Sequence, residues 1–167
     1  MRLFLGTTIP IPATEALQAK LSSYFIGKWV EPENQHLTWL FLGDQPDPDA
    51  IIKALEGMDI ERFPIILQGL HLFGGKVLVV SGYPHDPLHK IHDELKRRLT
   101  FLKYEDDKMF HAHVTLARIK EIRSRKIYAE AKLTREEVYV ETSDWKVALF
   151  QSELTSAGPV YKILKEF

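Results

Sequence analysis

Two short segments pair an imidazole with a hydroxyl, His36-Leu37-Thr38 and His113-Val114-Thr115, and they stand 77 positions apart. Both carry an apolar residue between the two polar ones. On a β-strand successive side chains point to opposite faces, so the His and Thr of each segment share one face. Leu37 and Val114 take the other face, where they can enter a core. Each segment then holds one imidazole and one hydroxyl a pleat apart on a rigid platform. Two platforms facing one another supply what phosphodiester hydrolysis needs. One imidazole takes a proton from water and the other gives one to the leaving oxygen, since His titrates near neutral pH. The Thr hydroxyls donate to the non-bridging phosphate oxygens as charge builds there. The scheme requires no metal, and no cofactor is expected. A lone His-x-Thr on a strand carries little weight; its recurrence gives it weight.

The elements that must position these residues follow from periodicity and punctuation. Residues 2–9 read as a strand stopped by Pro10 and Pro12. Thr14 is placed to cap a helix over 14–26, with Leu17, Leu21 and Phe25 on one face. A strand over 36–42 ends at Gly43-Asp44, and a helix over 46–58 turns Ile51, Ile52 and Leu55 inward. Residues 63–72 and 76–82 form a hairpin around Gly74-Gly75. The longest helix runs 84–102 with an apolar stripe of Leu88, Ile91, Leu95, Leu99 and Leu102. A strand over 112–119, a helix over 122–132 and strands over 136–142, 145–153 and 159–166 complete the chain. Helices interleaved with hairpins favour an α+β fold with largely antiparallel pairing. The repeated motif suggests two similar lobes, each contributing one copy.

Composition narrows the function classes. The chain has 167 residues, and 22 Lys+Arg against 23 Asp+Glu give a formal net charge of −1. That length suits one domain burying roughly 70% of its unfolded surface, with no need of a disulfide or metal. The charge balance argues against coating a long duplex, which takes many basic residues, but not against gripping one phosphate. The absence of Cys excludes thiol catalysis, disulfides and Cys-ligated metal sites. No segment approaches the ~20 apolar residues of a membrane span. The short apolar start lacks a leader-like cleavage site, so a cytoplasmic protein without membrane contact is expected. Nothing in the chain demands more than a monomer or an obligate protein partner.

The segments Trp29-Val30-Glu31-Pro32-Glu33-Asn34-Gln35-His36-Leu37-Thr38-Trp39-Leu40-Phe41-Leu42-Gly43 and Phe110-His111-Ala112-His113-Val114-Thr115-Leu116-Ala117-Arg118 resemble the two signatures of the two-histidine (2H) phosphoesterases. Within them the chain is similar to the RNA 2′,3′-cyclic phosphodiesterases, historically called 2′-5′ RNA ligases. The opening Met1-Arg2-Leu3-Phe4, the segment Phe150-Gln151-Ser152-Glu153-Leu154 and the closing Gly158-Pro159-Val160-Tyr161 share the likeness, which spans nearly the whole chain. The resemblance implies one bilobal domain over 1–167 with a pseudo-two-fold axis and a central cleft. It implies cofactor-free hydrolysis of an RNA-terminal 2′,3′-cyclic phosphate to a 2′-phosphate. By the same resemblance His36 and His113 are the catalytic pair, and Thr38 and Thr115 bind the phosphate. We expect His36 to be the acid and His113 the base. Arg118 has the wrong strand parity to join them, yet the resemblance places an Arg near the phosphate; a twist or bulge would reconcile the two. Ala112 stands where the signature usually has Pro, and Gln35 where an apolar residue is common. The first is expected to tune the backbone modestly, and the second to be harmless.

Other features have plainer readings beside functional ones. Residues 118–135 hold seven basic residues (Arg118, Lys120, Arg123, Arg125, Lys126, Lys132, Arg135) against Glu121 and Glu130. They form either a solvated helix face or a landing strip for RNA phosphates, and the second is preferred because the segment follows His113. His85, His89 and His92 at helical spacing suit an exposed polar face better than a metal site. His111 shares the parity of His113 and either lines the cleft or begins the strand in water; His71 lies near the surface or the cleft mouth. Trp29, Phe41, Phe73, Phe150 and Tyr161 could stack on a base, although core packing is the default, and Phe73 is expected to be the most exposed. No Lys-x-Asp-Gly or P-loop motif supports an ATP-dependent ligase, so any ligation is ATP-independent reversal. Hydrolysis of another small cyclic phosphate and a non-catalytic RNA-end-binding module are the remaining alternatives.

Overall fold

A computed structural model of the chain describes residues 1–106, 108–133 and 137–167. Its strands are β1 (Arg2–Thr8), β2 (Phe25–Trp29), β3 (His36–Asp44), β4 (Ile65–Phe73), β5 (Val77–Tyr83), β6 (His113–Ile122), β7 (Tyr139–Thr142), β8 (Ala148–Thr155) and β9 (Gly158–Glu166). Its helices are α1 (Thr14–Leu21), α2 (Pro48–Leu55), α3 (His85–Arg98) and α4 (Lys126–Leu133). The strands build one curled sheet in the order β7-β4-β5-β6-β3-β1-β8-β9, with β2 beside β6. Every pairing is antiparallel. The α+β, two-lobed expectation holds: β3, β1, β8 and β9 lie on one side of the β3–β6 seam, and β6, β5, β4 and β7, with β2 beside β6, lie on the other.

The helices cover one face of the sheet and bury the main core against it. Leu17 and Leu21 of α1, Ile51 and Leu55 of α2, and Leu88 and Leu95 of α3 all lie within that core. The strands contribute Leu37, Trp39, Val114 and Leu116, which are the residues that alternate with the motif side chains. Asp47 begins α2 by accepting from the amides of Asp49 and Ala50, which satisfies donors the first turn leaves free. Gly74 and Gly75 both take positive φ (57° and 65°) in the β4–β5 turn, a conformation that favours glycine.

Two expectations near the start fail for definite reasons. The first helix ends at Leu21, not residue 26; a short 3₁₀ turn over Ser22–Tyr24 follows, and Phe25 opens β2. Gly27 shows why pairing prevails over the helical spacing. A Cβ there would lie 2.3 Å from the Arg118 carbonyl oxygen, so β2 can approach β6 only with glycine at this point. Thr14 does not cap α1 either. Ala13 holds the cap position, while the Thr14 hydroxyl donates to the Ile11 carbonyl and accepts from Gln35. The other helices are trimmed: α2 spans Pro48–Leu55 within the expected 46–58, and α3 stops at Arg98.

Candidate active site

The two His-x-Thr segments open β3 and β6, and these strands meet at a single ladder pair, Leu37 with Val114. Antiparallel pairing about that rung sets His36 across from Thr115 and Thr38 across from His113. Leu37 and Val114 are fully buried, whereas the four polar residues are half-buried on the face without helices.

Each motif strand carries a bulge three residues after its His. Leu5 pairs with Leu40 and Gly6 with Thr38, so Trp39 is the extra residue on β3. Leu78 pairs with Ala117 and Val79 with Thr115, so Leu116 is the extra residue on β6. Both extra residues and their successors are buried: Trp39 with Leu40, and Leu116 with Ala117. One inserted residue flips the parity of all that follows. Phe41 therefore joins the face of His36 and Thr38, and Arg118 joins the face of His113 and Thr115. The bulge supplies the reconciliation that the parity of Arg118 required.

The imidazoles are held alike. His36 Nδ1 lies 2.6 Å from the Asn34 carbonyl oxygen, and His113 Nδ1 lies 2.6 Å from the His111 carbonyl oxygen. A carbonyl only accepts, so each Nδ1 carries the proton and each Nε2 is left for chemistry. Burial lowers the pKa of both rings below the ordinary His value. The Asn34 and His111 carbonyls pull the other way by favouring the charged ring. The positive charge of Arg118 adds to the lowering at both. One guanidinium thus acts on the two imidazoles together.

Gln35 and Ala112 stand immediately before the two His residues. Gln35 is fully buried. Its Oε1 accepts from the Ile11 amide at 2.7 Å, and its Nε2 donates to the Thr14 hydroxyl at 2.8 Å and the Val30 carbonyl at 3.2 Å. Gln35 thus ties the start of β3 to the chain after β1 and after β2, with its buried amide group satisfied at both ends. Ala112 instead passes its carbonyl to the Gly82 amide at 2.7 Å.

A family model described as the 2′-5′ RNA ligase superfamily matches residues 10–151. The chain belongs to that superfamily. Relatives named RNA 2′,3′-cyclic phosphodiesterase include one from Aeropyrum pernix, 41% identical over 150 residues and covering 83% of this chain and 84% of that protein. Another, from Aquifex aeolicus, is 32% identical over 166 residues and covers 92% and 87%. A crystal structure of a Thermus thermophilus protein aligns with TM-score 0.78 and 26% identity, over 100% of this chain and 97% of that one.

Around the four motif residues, this member of the superfamily has two unlike walls. Beside His36 lie Phe4, Phe150 and Tyr161, which form a small cluster apart from the main core. Phe4 stacks on Phe150 at 4.8 Å and 4° and lies 4.8 Å from the His36 ring. Tyr161 meets His36 edge-on at 5.1 Å. Phe41 is 52% exposed and lies 5.7 Å from Phe4, so it, and not Phe73, is the exposed aromatic of this set. Beside His113, Phe73 sits edge-on to His111 at 4.8 Å and to His113 at 5.4 Å; His111 therefore lines this wall. The β8–β9 hairpin is held from across the sheet, because Lys28 on β2 donates through Nζ to the Ala157 carbonyl at 2.6 Å.

The remaining sequence candidates fall away from this face or lie apart. Of the helical histidines, His85 is exposed, but His92 is buried and stacks on Phe110 at 4.4 Å. The expected exposed polar face thus fails at His92, which the aromatic packing draws inward. Among the described residues no group of three or more His, Asp or Glu is placed to hold a metal, and no helix is long and apolar enough to cross a membrane. Of the basic segment, Lys120 shares the parity of Arg118, α4 carries Lys126 and Lys132, and Arg135 lies outside the described residues.

Proposed function

We propose that this chain hydrolyses an RNA-terminal 2′,3′-cyclic phosphate to a 2′-phosphate without a metal. One observation carries the reading: two imidazoles, each with Nδ1 committed to the carbonyl two residues upstream, project from paired strands with a Thr hydroxyl opposite each. The names of the relatives from Aeropyrum pernix and Aquifex aeolicus point to the same reaction.

In the proposed reaction neutral His113 Nε2 takes a proton from water as its oxygen bonds to phosphorus. The bond from phosphorus to the ribose 3′ oxygen breaks, and protonated His36 gives its Nε2 proton to that oxygen. Thr38, Thr115 and Arg118 stabilise the charge gathering on the non-bridging oxygens. The His36 assignment as acid rests on the aromatic wall at its side, which suits the nucleoside and so brings the leaving ribose oxygen to His36. Proton exchange with solvent resets the pair. The reverse reaction, attack by a ribose hydroxyl, would be an ATP-independent 2′-5′ ligation.

The test is turnover of a short oligoribonucleotide ending in 2′,3′-cyclic phosphate, in EDTA, with phosphorus NMR of the product. A 2′-phosphate formed by the wild type and by neither His36→Ala nor His113→Ala supports the reading. A wild type inactive in EDTA and restored by a divalent ion defeats the metal-free mechanism. RNA-end binding without turnover in any condition favours a binding module.

A further inference from the structure

We propose that the Tyr161 hydroxyl is a further substrate-contacting donor, which binds the phosphate at the His36 side of the cleft together with Arg118. The inference rests on the reading above and adds a residue from β9 that neither His-x-Thr motif contains.

Four observations converge on this residue. Tyr161 is half-buried on the helix-free face, with its ring edge-on to both His36 (5.1 Å, 83°) and Phe4 (5.2 Å, 78°). Among the described residues its hydroxyl has no hydrogen-bond partner in the protein. The hydroxyl is not enclosed by the protein, so solvent reaches it and a ligand can as well. Two cations bear on that hydroxyl, Arg118 from β6 and Arg2 from β1. Arg2 reaches this neighbourhood because it pairs with Ser152, which in turn pairs with Tyr161 across β8 and β9. Finally, the ring is packed against the Phe4–Phe150 cluster and the His36 ring, so the fold places it before any ligand arrives.

A neutral donor without a protein acceptor, within electrostatic reach of Arg118 and Arg2 and edge-on to a candidate catalytic imidazole, suits an anionic oxygen. The phosphate of the proposed reaction supplies one. The phenol stays protonated at neutral pH, since burial holds its pKa above the ordinary Tyr value. It can therefore donate through the whole range in which the imidazoles titrate.

The experiment compares wild type with Tyr161→Phe, which keeps the ring against His36 and Phe4 and removes the hydroxyl. The readouts are kcat/KM on the cyclic-phosphate oligonucleotide, inorganic phosphate binding followed by NMR of the His36 and His113 ring protons, and Tm. A hydrogen bond to a charged group predicts a loss of about 10–100-fold in kcat/KM and weaker phosphate binding in the same direction. Tm and the ligand-free ring resonances should stay at wild-type values. Unchanged kcat/KM and unchanged phosphate binding would overturn the inference. Shifted ligand-free resonances with unchanged phosphate affinity would also overturn it, making Tyr161 a support for the His36 ring alone. If the wild type binds phosphate but turns over no cyclic phosphate, the function fails separately, and weaker phosphate binding by Tyr161→Phe still sustains the contact.

Discussion

The two lobes share their chemistry and differ in their walls. Each supplies an imidazole anchored through Nδ1, a Thr one pleat on and a bulge three residues after the His. At the next position facing the cleft, one lobe has Phe41 and the other Arg118. Around His36 stand Phe4, Phe150 and Tyr161, and around His113 stand Phe73 and His111, while Arg118, the cation that acts on both imidazoles, enters from the His113 strand. This difference suits a substrate that is itself lopsided. Proton transfer to and from a phosphodiester needs two alike groups, but a nucleoside lies on one side of the phosphorus and water on the other. The shared parts fit the reaction, and the unlike parts fit its direction.

Breaking the shared parts should cost most. His36→Ala and His113→Ala should each lower kcat by about 10²–10⁴-fold, the usual weight of a general acid or base. Steady-state kinetics in EDTA checks this. A variant that retained most of its activity would remove that lobe from the chemistry.

Making the walls alike is the sharper test. Arg118→Phe copies the first lobe onto the second and should reduce kcat/KM by about 10–100-fold. It should also move the pH profile. Burial and Arg118 hold both imidazoles below the ordinary His value of 6.5, so the wild-type optimum of kcat/KM should fall on the acid side of that value. Removing the positive charge makes protonation easier, both pKa values rise, and both limbs of the bell move to higher pH. A profile that stays in place would mean that the Arg118 charge does not reach the pair.

The aromatic wall gives a smaller and different effect. Phe41→Ser should raise KM about 5–10-fold with kcat little changed, since a half-exposed ring stacks on one base near the lower end of the usual range, about 1–1.4 kcal/mol. Oligonucleotides with different terminal bases would show whether stacking, which is tolerant of base identity, accounts for the loss.

The smallest effects concern the residues just ahead of each His and are read in stability. Gln35→Leu strands buried partners and should cost about 1–3 kcal/mol, seen as a Tm lower by about 2–10 °C. Ala112→Pro should raise Tm slightly, by the ~0.4–1 kcal/mol that a compatible Pro contributes through the unfolded chain. Calorimetry distinguishes the two, and a loss of Tm in Ala112→Pro would show that the start of β6 does not accept the ring.

The strands bearing His36 and His113 were legible because period-two alternation is local and both copies display it. The bulges were half-legible. Trp39-Leu40 and Leu116-Ala117 each interrupt the alternation with adjacent apolar residues, but the pairing that makes this a bulge lies on β1 and β5. Strand β2 was hidden because Leu17, Leu21 and Phe25 mimic a helical face, while the need for Gly27 comes from a carbonyl on β6. Gln35 reads as an ordinary polar residue until Ile11, Thr14 and Val30 close around it. Phe41 and Tyr161 look like core aromatics, and only the row across β3, β1, β8 and β9 sets Tyr161 beside His36 and Phe41 beside Phe4.

Mechanically, the curled sheet is an arch. Its crown is the single Leu37–Val114 rung, and one core shared by both halves backs it from the helix side. The Lys28–Ala157 hydrogen bond spans from the β6 side to the β8–β9 hairpin and acts as a tie rod. With a crown, a shared core and a tie, the gap between the halves is bridged at its back and across its rim, and Lys28 is the part of that bridging that solvent reaches.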